Sequence, residues 1–302
     1  MRASRDCRRA WRKCATMTDM GEPGSRVDWD RSYLTGRAYN TDEKLATRQS
    51  IYAFSKPSKE PGFFAWGISR IEWSGTEVVL DVGCGNGMWQ KRLLQANPGL
   101  RTVGVDLSDG MLRSLLAAWD GPRKATVAVA DAQRLPIRDR SVDVALLMHM
   151  LYHVPDREAA LAETRRVLRS DRGSALVTTL GPSHLHELRE LLRGALGELR
   201  GRDINGPFLS NPFDAGQAAA ELPGTFSTVE SYVRMGHLEI TEVDPIVAWV
   251  DTQQDPDLDA LVPPNTTWDD VLNITRRMCA ATIAEHGNFH VTTEVAVFVC
   301  RP

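Results

Sequence analysis

Between the apolar run Val78–Asp81 and a helical stretch opening at Gly87 lies Asp81-Val82-Gly83-Cys84-Gly85-Asn86-Gly87, the segment that most limits what this chain can fold into. Glycines at alternate positions, where a strand ends and a helix begins, let the backbone turn with positive φ and approach a ligand without Cβ interference. A tight strand–helix turn with no ligand satisfies the same pattern, so the glycines need company. Asp106 ends the next apolar run, 25 residues after Asp81, and Asp131 ends the third, 25 residues further on. A carboxylate at the second strand end can accept both hydroxyls of a ribose; one at the third can accept from an adenine amino group. Three acidic strand ends on one rim are hard to explain as separate accidents.

The surrounding pattern supports that rim. Strands are expected at Val78–Asp81, Arg101–Asp106, Ala125–Ala130, Val142–Leu147 and Ser174–Thr179. Helices fall between them: Gly87–Ala96 closed by Asn97-Pro98, Ser108 as N-cap of a helix to Trp119, and Arg157–Leu168 with Ala160, Leu161, Thr164 and Leu168 on one face. The continuous apolar run before Met148 suits a strand covered on both faces. Strand–helix alternation of this kind means a parallel sheet with helices on both sides. Beyond Gly181 the pattern loosens. Ser183–Leu199 reads as a helix, Phe226–Val233 and His237–Ile240 as a pair of strands, Thr267–His286 as a long helix and Phe289–Val299 as a final strand.

The segments VVLDVGCGNG, VGVDLS, VADAQRLPI and SVDVALLMHMLYHVPD, with ALAETRRVLRSDRGSALVTT after them, resemble the sequential motifs of the class I S-adenosylmethionine-dependent methyltransferases of the small-molecule type. The resemblance is specific over about residues 77–180. It implies an α/β fold: a seven-stranded, mostly parallel, doubly wound sheet (the Rossmann-like methyltransferase fold) whose last strand is antiparallel, with an N-terminal helical lid and a C-terminal insertion. S-adenosyl-L-methionine would lie across the carboxyl ends of strands one to four. By the resemblance Gly83 and Gly85 approach the amino-acid moiety and Asp106 the ribose, with Asp81, Cys84 and Leu107 also expected at the cofactor. Asp131 and Ala132 meet the adenine, while Met148 and His149 flank the sulfonium. Cys84 reads as a small filler and Trp89 as core. A dinucleotide fingerprint would need its third glycine at position 88, which is Met88, and no nicotinamide partner motif is present.

Methyl transfer from a sulfonium is an in-line displacement, in which orientation and exclusion of water matter most and a base helps when the acceptor keeps its proton. Candidates stand in Met148-His149-Met150-Leu151-Tyr152-His153-Val154. If that segment makes a helical turn, His149 and His153 share a face with Tyr152 beside them. His153 is the expected acceptor-side base and His149 faces the cofactor; pocket lining alone is the competing role for both. No metal is expected, Asp139 and Asp143 reading as turn and strand-start residues.

Residues 1–26 are expected to be a disordered basic extension; positions 1–14 hold six basic side chains and one acid without the apolar core of a secretory signal. Residues 27–74 form an expected helical, aromatic lid, with Tyr33 and Tyr39 over the cofactor and Tyr52, Phe54, Phe63, Phe64 and Trp66 beside them. Residues 75–302 form the methyltransferase domain, with a cap insertion at about 182–270. The net charge of −3 argues mildly against nucleic acid, and no apolar run reaches the roughly 18 residues of a membrane span. Five cysteines without ligand spacing suit reduced thiols and a cytoplasmic setting. The expected function is methyl transfer to an O, N or C atom of a small molecule, with a specialised metabolite in view, by a monomer or homodimer. The alternative is a protein of this fold that binds the cofactor and catalyses something else, or only binds.

Overall fold

The computed structural model describes residues 42–55 and 61–302. Tyr33 and Tyr39 lie outside the described residues, as does the basic extension. Helix α1 (Glu43–Ser50) runs into a 3-10 turn (Ile51–Phe54) and is followed by α2 (Phe63–Ile68). Then come β1 (Val78–Val82), α3 (Met88–Ala96), β2 (Arg101–Asp106), α4 (Asp109–Ala118), β3 (Val127–Val129), β4 (Val144–Met148), α5 (Arg157–Val167) and β5 (Ser174–Leu180). The later elements are α6 (His186–Arg200), α7 (Ala215–Glu221), β6 (Thr228–Ile240), α8 (Val243–Asp251), α9 (Pro256–Asp259), α10 (Trp268–His286) and β7 (Phe289–Arg301).

The seven strands form one sheet in the order β3-β2-β1-β4-β5-β7-β6, and β7 runs antiparallel to both its neighbours. This is the seven-stranded, mostly parallel, doubly wound architecture that the motifs imply. All five residues of β4 are buried, because successive side chains face two different cores. Ala145 and Leu147 join Leu80, Val82, Leu161 and Val167 on one face. Leu146 and Met148 join Val79, Trp89, Leu93 and Leu176 on the other. A third core gathers α6, α8 and α10 with Leu238, Ile240, Phe289 and Val291 from the ends of β6 and β7, and Ile51 reaches into it from the N-terminal segment. Each large apolar side chain removed from water in these clusters contributes about 1.5–3 kcal/mol before chain entropy is counted.

Two local expectations give way. The strand pair expected on either side of Arg234–Gly236 is a single strand of 13 residues. Gly236 stays in register opposite Thr293, and a Cβ there would lie 2.8 Å from the Thr293 Oγ1. Glycine permits close packing at this point and turns nothing. The helix expected from Ser183 starts at His186. Ser183 gives its N–H and its hydroxyl to the Glu294 carboxylate, and Leu185 takes a left-handed φ of 53°. The stretch assigned to the cap therefore holds β6 as well as helices α6 to α9.

Candidate active site

The loops after β1, β2, β4 and β5 meet at the carboxyl edge of the sheet. In the first, Gly83, Gly85 and Gly87 have φ of 68°, 53° and 73°, the left-handed region in which an L side chain is strained. The Gly83 and Cys84 amides donate to the Val105 carbonyl at 2.8 and 3.0 Å, so the loop is stitched onto β2. A Cβ on Gly83 would stand 2.9 Å from the Met150 Cβ, which places Met150 across the loop. Helix α1 covers the next glycine: a Cβ on Gly85 would be 3.6 Å from the Leu45 Cδ2, and Asn86 donates to Gln49 at 3.4 Å. The same helix is tied to the cap by Arg48, which donates to the Thr252 carbonyl at 2.7 Å. Cys84 is buried with its thiol pushed well above its ordinary range, chiefly by burial. It fills space beside Gly104 and is no nucleophile.

Two carboxylates stand behind this loop. Asp106 Oδ2 accepts the Gly85 amide at 2.8 Å and Oδ1 accepts the Ser108 amide at 2.9 Å. Burial raises its pKa, against backbone donors at Ser108, Gly85 and Leu107 that favour the charge. Ser108 caps α4, as its position suggests, by accepting the Met111 amide at 3.1 Å. Each Asp106 oxygen keeps acceptor capacity for a second donor, as a ribose diol would require. Asp81 is 1% exposed, and neither of its oxygens has a hydrogen-bond partner among the described residues. Burial and then the charge of Asp106 lift it to about 8. A buried carboxylate without a donor is costly, and a ligand ammonium at this spot would offset the cost. On β3's side, the Ala130 amide donates to the Asp106 carbonyl at 2.9 Å, which brings Asp131 and Ala132 to the same edge. Asp131 Oδ1 accepts both the amide and the side-chain N–H of Gln133, at 2.9 and 3.0 Å. The donors, acceptors and glycine cradle fit a nucleoside carrying a cationic amino-acid tail.

The loop after β4 differs from the expected helical turn. His149 takes φ 54°, and only Leu151–His153 forms a 3-10 turn. His149 and His153 therefore do not share a face. The His149 ring lies 5.5 Å from Phe63, on the α2 and α3 side of the sheet. His153 stacks edge-on against Tyr152 at 4.5 Å, and Tyr152 packs on the opposite core. The His149 amide donates to the Thr178 hydroxyl at 3.0 Å, pinning the end of β4 to β5. Its Nδ1 has no partner among the described residues, and burial pulls its pKa down to about 4. It is a neutral ring at physiological pH and a weak base.

A second cluster, which the linear reading missed, sits past the end of β5. His184 is 1% exposed, with Nε2 2.8 Å from the Tyr52 hydroxyl and Nδ1 accepting the Glu294 amide at 3.0 Å. Burial, then repulsion from a charge on nearby His149, lowers its pKa to about 3. The Glu294 carboxylate turns back onto the Ser183 amide at 3.0 Å, and Gly181 leaves it room. A Cβ on Gly181 would fall 1.9 Å from the Glu294 Cδ. Tyr52 was named in the sequence only as one lid aromatic among several, and His184 and Glu294 carry no motif at all.

Comparison with known proteins falls on the first cluster. A family model described as a methyltransferase domain matches residues 80–175. A malonyl-[acyl-carrier protein] O-methyltransferase of Geobacter sulfurreducens is 33% identical over 156 residues, covering 51% of this chain and 57% of that protein. The chain spans about half the length of the curated relatives it matches. Among solved structures, phosphoethanolamine N-methyltransferase 2 of Haemonchus contortus, in complex with S-adenosyl-L-methionine, aligns with a TM-score of 0.52 at 18% identity. That alignment covers 92% of this chain and 61% of the other. The [4+2]-cyclase SpnF aligns with a TM-score of 0.53 at 14% identity, over 90% of this chain and 97% of that one. At these identities the structural likeness is one of fold.

Proposed function

We propose, on the premise that this chain belongs to the class I S-adenosylmethionine-dependent methyltransferases, that it methylates an oxygen atom of a small or carrier-borne acceptor. The observation that carries the reading is the buried carboxylate pair behind the glycine loop: Asp81 without a donor among the described residues, and Asp106 held by two backbone amides with acceptor capacity to spare. When bound, S-adenosylmethionine supplies an electrophilic methyl on a sulfonium. Asp106 would hold the ribose hydroxyls, and Asp81 would balance the positive amino group. Asp131 and Ala132 would border the adenine, and Met150 would lie over the loop beside the amino-acid tail. Helix α1, tied to both the loop and the cap, would keep water from the reacting atoms.

Oxygen is favoured for two reasons. The relative of known name matched above is an O-methyltransferase, although the match covers 57% of it. The residues here also suit a nucleophile that needs little deprotonation: His149 is a weak base, and the His184 Nδ1 lone pair is already taken. A carboxylate acceptor arrives charged and asks only for orientation. His153 stays the candidate base for an acceptor that arrives protonated.

Purified protein incubated with S-adenosylmethionine and a panel of carboxylic acids, phenols, alcohols and amines tests this by mass spectrometry. The expected result is S-adenosylhomocysteine in step with an O-methyl product. Asp106→Ala should weaken S-adenosylhomocysteine binding by about 1.5–3 kcal/mol in calorimetry, the value of hydrogen bonds to a charged group. Tight cofactor binding with no product across the panel would favour the competing reading, a member of the fold that binds the cofactor without transferring its methyl.

A further inference from the structure

The Tyr52–His184 contact has a direction that the main chain dictates. The Glu294 amide can only donate, so His184 Nδ1, 3.0 Å away, must be the bare nitrogen of the ring. The neutral ring then carries its proton on Nε2, and Nε2–H donates to the Tyr52 oxygen at 2.8 Å. Tyr52 is thereby excluded from donating to His184, and its own O–H proton has no acceptor among the described residues. Burial around the hydroxyl raises its pKa well above the ordinary range, although 40% of the residue as a whole is accessible. The hydroxyl itself meets His184, which is 1% exposed. A hydroxyl in a low-dielectric site that keeps its proton and receives a hydrogen bond on its oxygen is a strengthened donor.

Its place is equally specific. The Ile51–Phe54 turn continues directly from α1, whose Leu45 and Gln49 meet the glycine loop. His184 stands past β5, near enough to His149 that a charge on that ring would lower its pKa, and His149 directly follows β4. The Tyr52–His184 contact therefore lies on the side of the sheet edge where the N-terminal segment and the cap come together, the wall against which the proposal seats the acceptor.

We propose that Tyr52, with its donor sense set by His184, holds a carbonyl or carboxylate oxygen of the acceptor and so selects for substrates that present an sp2 oxygen to this wall of the site. Tyr52 touches the substrate; His184 positions it. The proposal rests on the methyltransferase reading, because it places the acceptor relative to the cofactor.

Four probes of one size, benzoate, methyl benzoate, benzamide and benzylamine, are titrated into wild-type protein saturated with S-adenosylhomocysteine. Benzoate or methyl benzoate should bind at least about tenfold more tightly than benzylamine, the range of one good hydrogen bond to a strong acceptor. Tyr52→Phe should erase that preference while leaving S-adenosylhomocysteine affinity within about threefold. Benzoate ahead of methyl benzoate assigns a carboxylate; the reverse order assigns a neutral carbonyl. Nitrogen-15 spectra should show His184 protonated on Nε2 alone. Equal affinity of oxygen and amine probes, a preference that survives Tyr52→Phe, absence of any oxygen-probe binding, or a proton on Nδ1 would each overturn the proposal. Failure of S-adenosylhomocysteine itself to bind would be a different result, removing the methyltransferase reading and this inference with it.

Discussion

The two clusters at the carboxyl edge are built by different means. The cluster proposed for the cofactor draws on residues close together in the chain: a glycine loop, the carboxylate ending the next strand, and a serine cap two residues later. The cluster proposed for the acceptor joins Tyr52, His184 and Glu294, the first two 132 positions apart and the last two 110. Local backbone geometry makes the first, and its partners are fixed by spacing. Tertiary packing makes the second, through β7 running antiparallel beside β5 and the N-terminal segment bridged to β6 at Ser55 and Leu238. A site made locally can be shared across a family by sequence, whereas one made by packing can vary while the fold stays the same.

Glycine substitutions give the sharpest way to break this contrast, because each cluster leans on one. Gly83→Ala adds a Cβ at a φ of 68° and 2.9 Å from the Met150 Cβ. Backbone strain and overpacking together should cost about 2–4 kcal/mol of stability, with S-adenosylhomocysteine binding lost. Gly181→Ala drives a methyl into the Glu294 carboxyl group and should cost a similar amount, yet leave cofactor affinity nearly intact. Thermal melts and calorimetry on the pair decide the matter; loss of cofactor binding in Gly181→Ala would mean that the two clusters are one.

A smaller effect comes from pH. Asp81 has a folded pKa of about 8, above its unfolded value, so the folded chain holds an extra proton between about pH 4 and pH 8. Its contribution is fully present at low pH and is lost as pH rises, by at most about 1.4 kcal/mol per unit. His149 and His184, lowered to about 4 and about 3, act in the opposite sense: their contribution is complete above pH 6.5 and fades on acidification. Between pH 6.5 and 8, of these three groups only Asp81 still changes its contribution. Ligand-free protein should therefore lose roughly 2 kcal/mol of stability across that window, and Asp81→Asn should flatten the slope. An unchanged slope in the mutant would show that Asp81 is solvated or already paired.

The smallest effect tests the border between the clusters. His149 faces Phe63 with a nitrogen that has no partner among the described residues and a depressed pKa. His149→Ala should change turnover and S-adenosylhomocysteine affinity by no more than about threefold, since a neutral ring that only lines the pocket is replaceable by water. A hundredfold fall in rate with normal cofactor affinity would instead make it a base.

Much of the cofactor side was legible in the sequence. Asp81, Gly83, Gly85, Asp106 and the Ser108 cap stand where strand ends and helix starts placed them, because those positions follow from period and spacing. The segment after β4 was misread for a physical reason: a non-glycine residue at positive φ, here His149, leaves no mark in residue type. His184 was read as the first turn of a helix, since nothing local reveals that Ser183 spends its donors on Glu294. The break expected between two strands at Arg234–Gly236 is absent, since Gly236 stays in the ladder and its small size admits Thr293. Each miss came from a long-range partner overruling a local signal.

The amide of residue 294 belongs to the peptide chain and to no particular side chain, and this decides what mutation can reach. Any substitution at that position except proline keeps the N–H, and proline would break the ladder of β7 against its neighbours. The tautomer of His184 is thus a legacy of the strand pairing and is insulated from drift in the residue that delivers it. Descendants of this chain can trade Tyr52 or reshape the cap to take new substrates. A histidine kept at position 184 would present the same N–H to each of them.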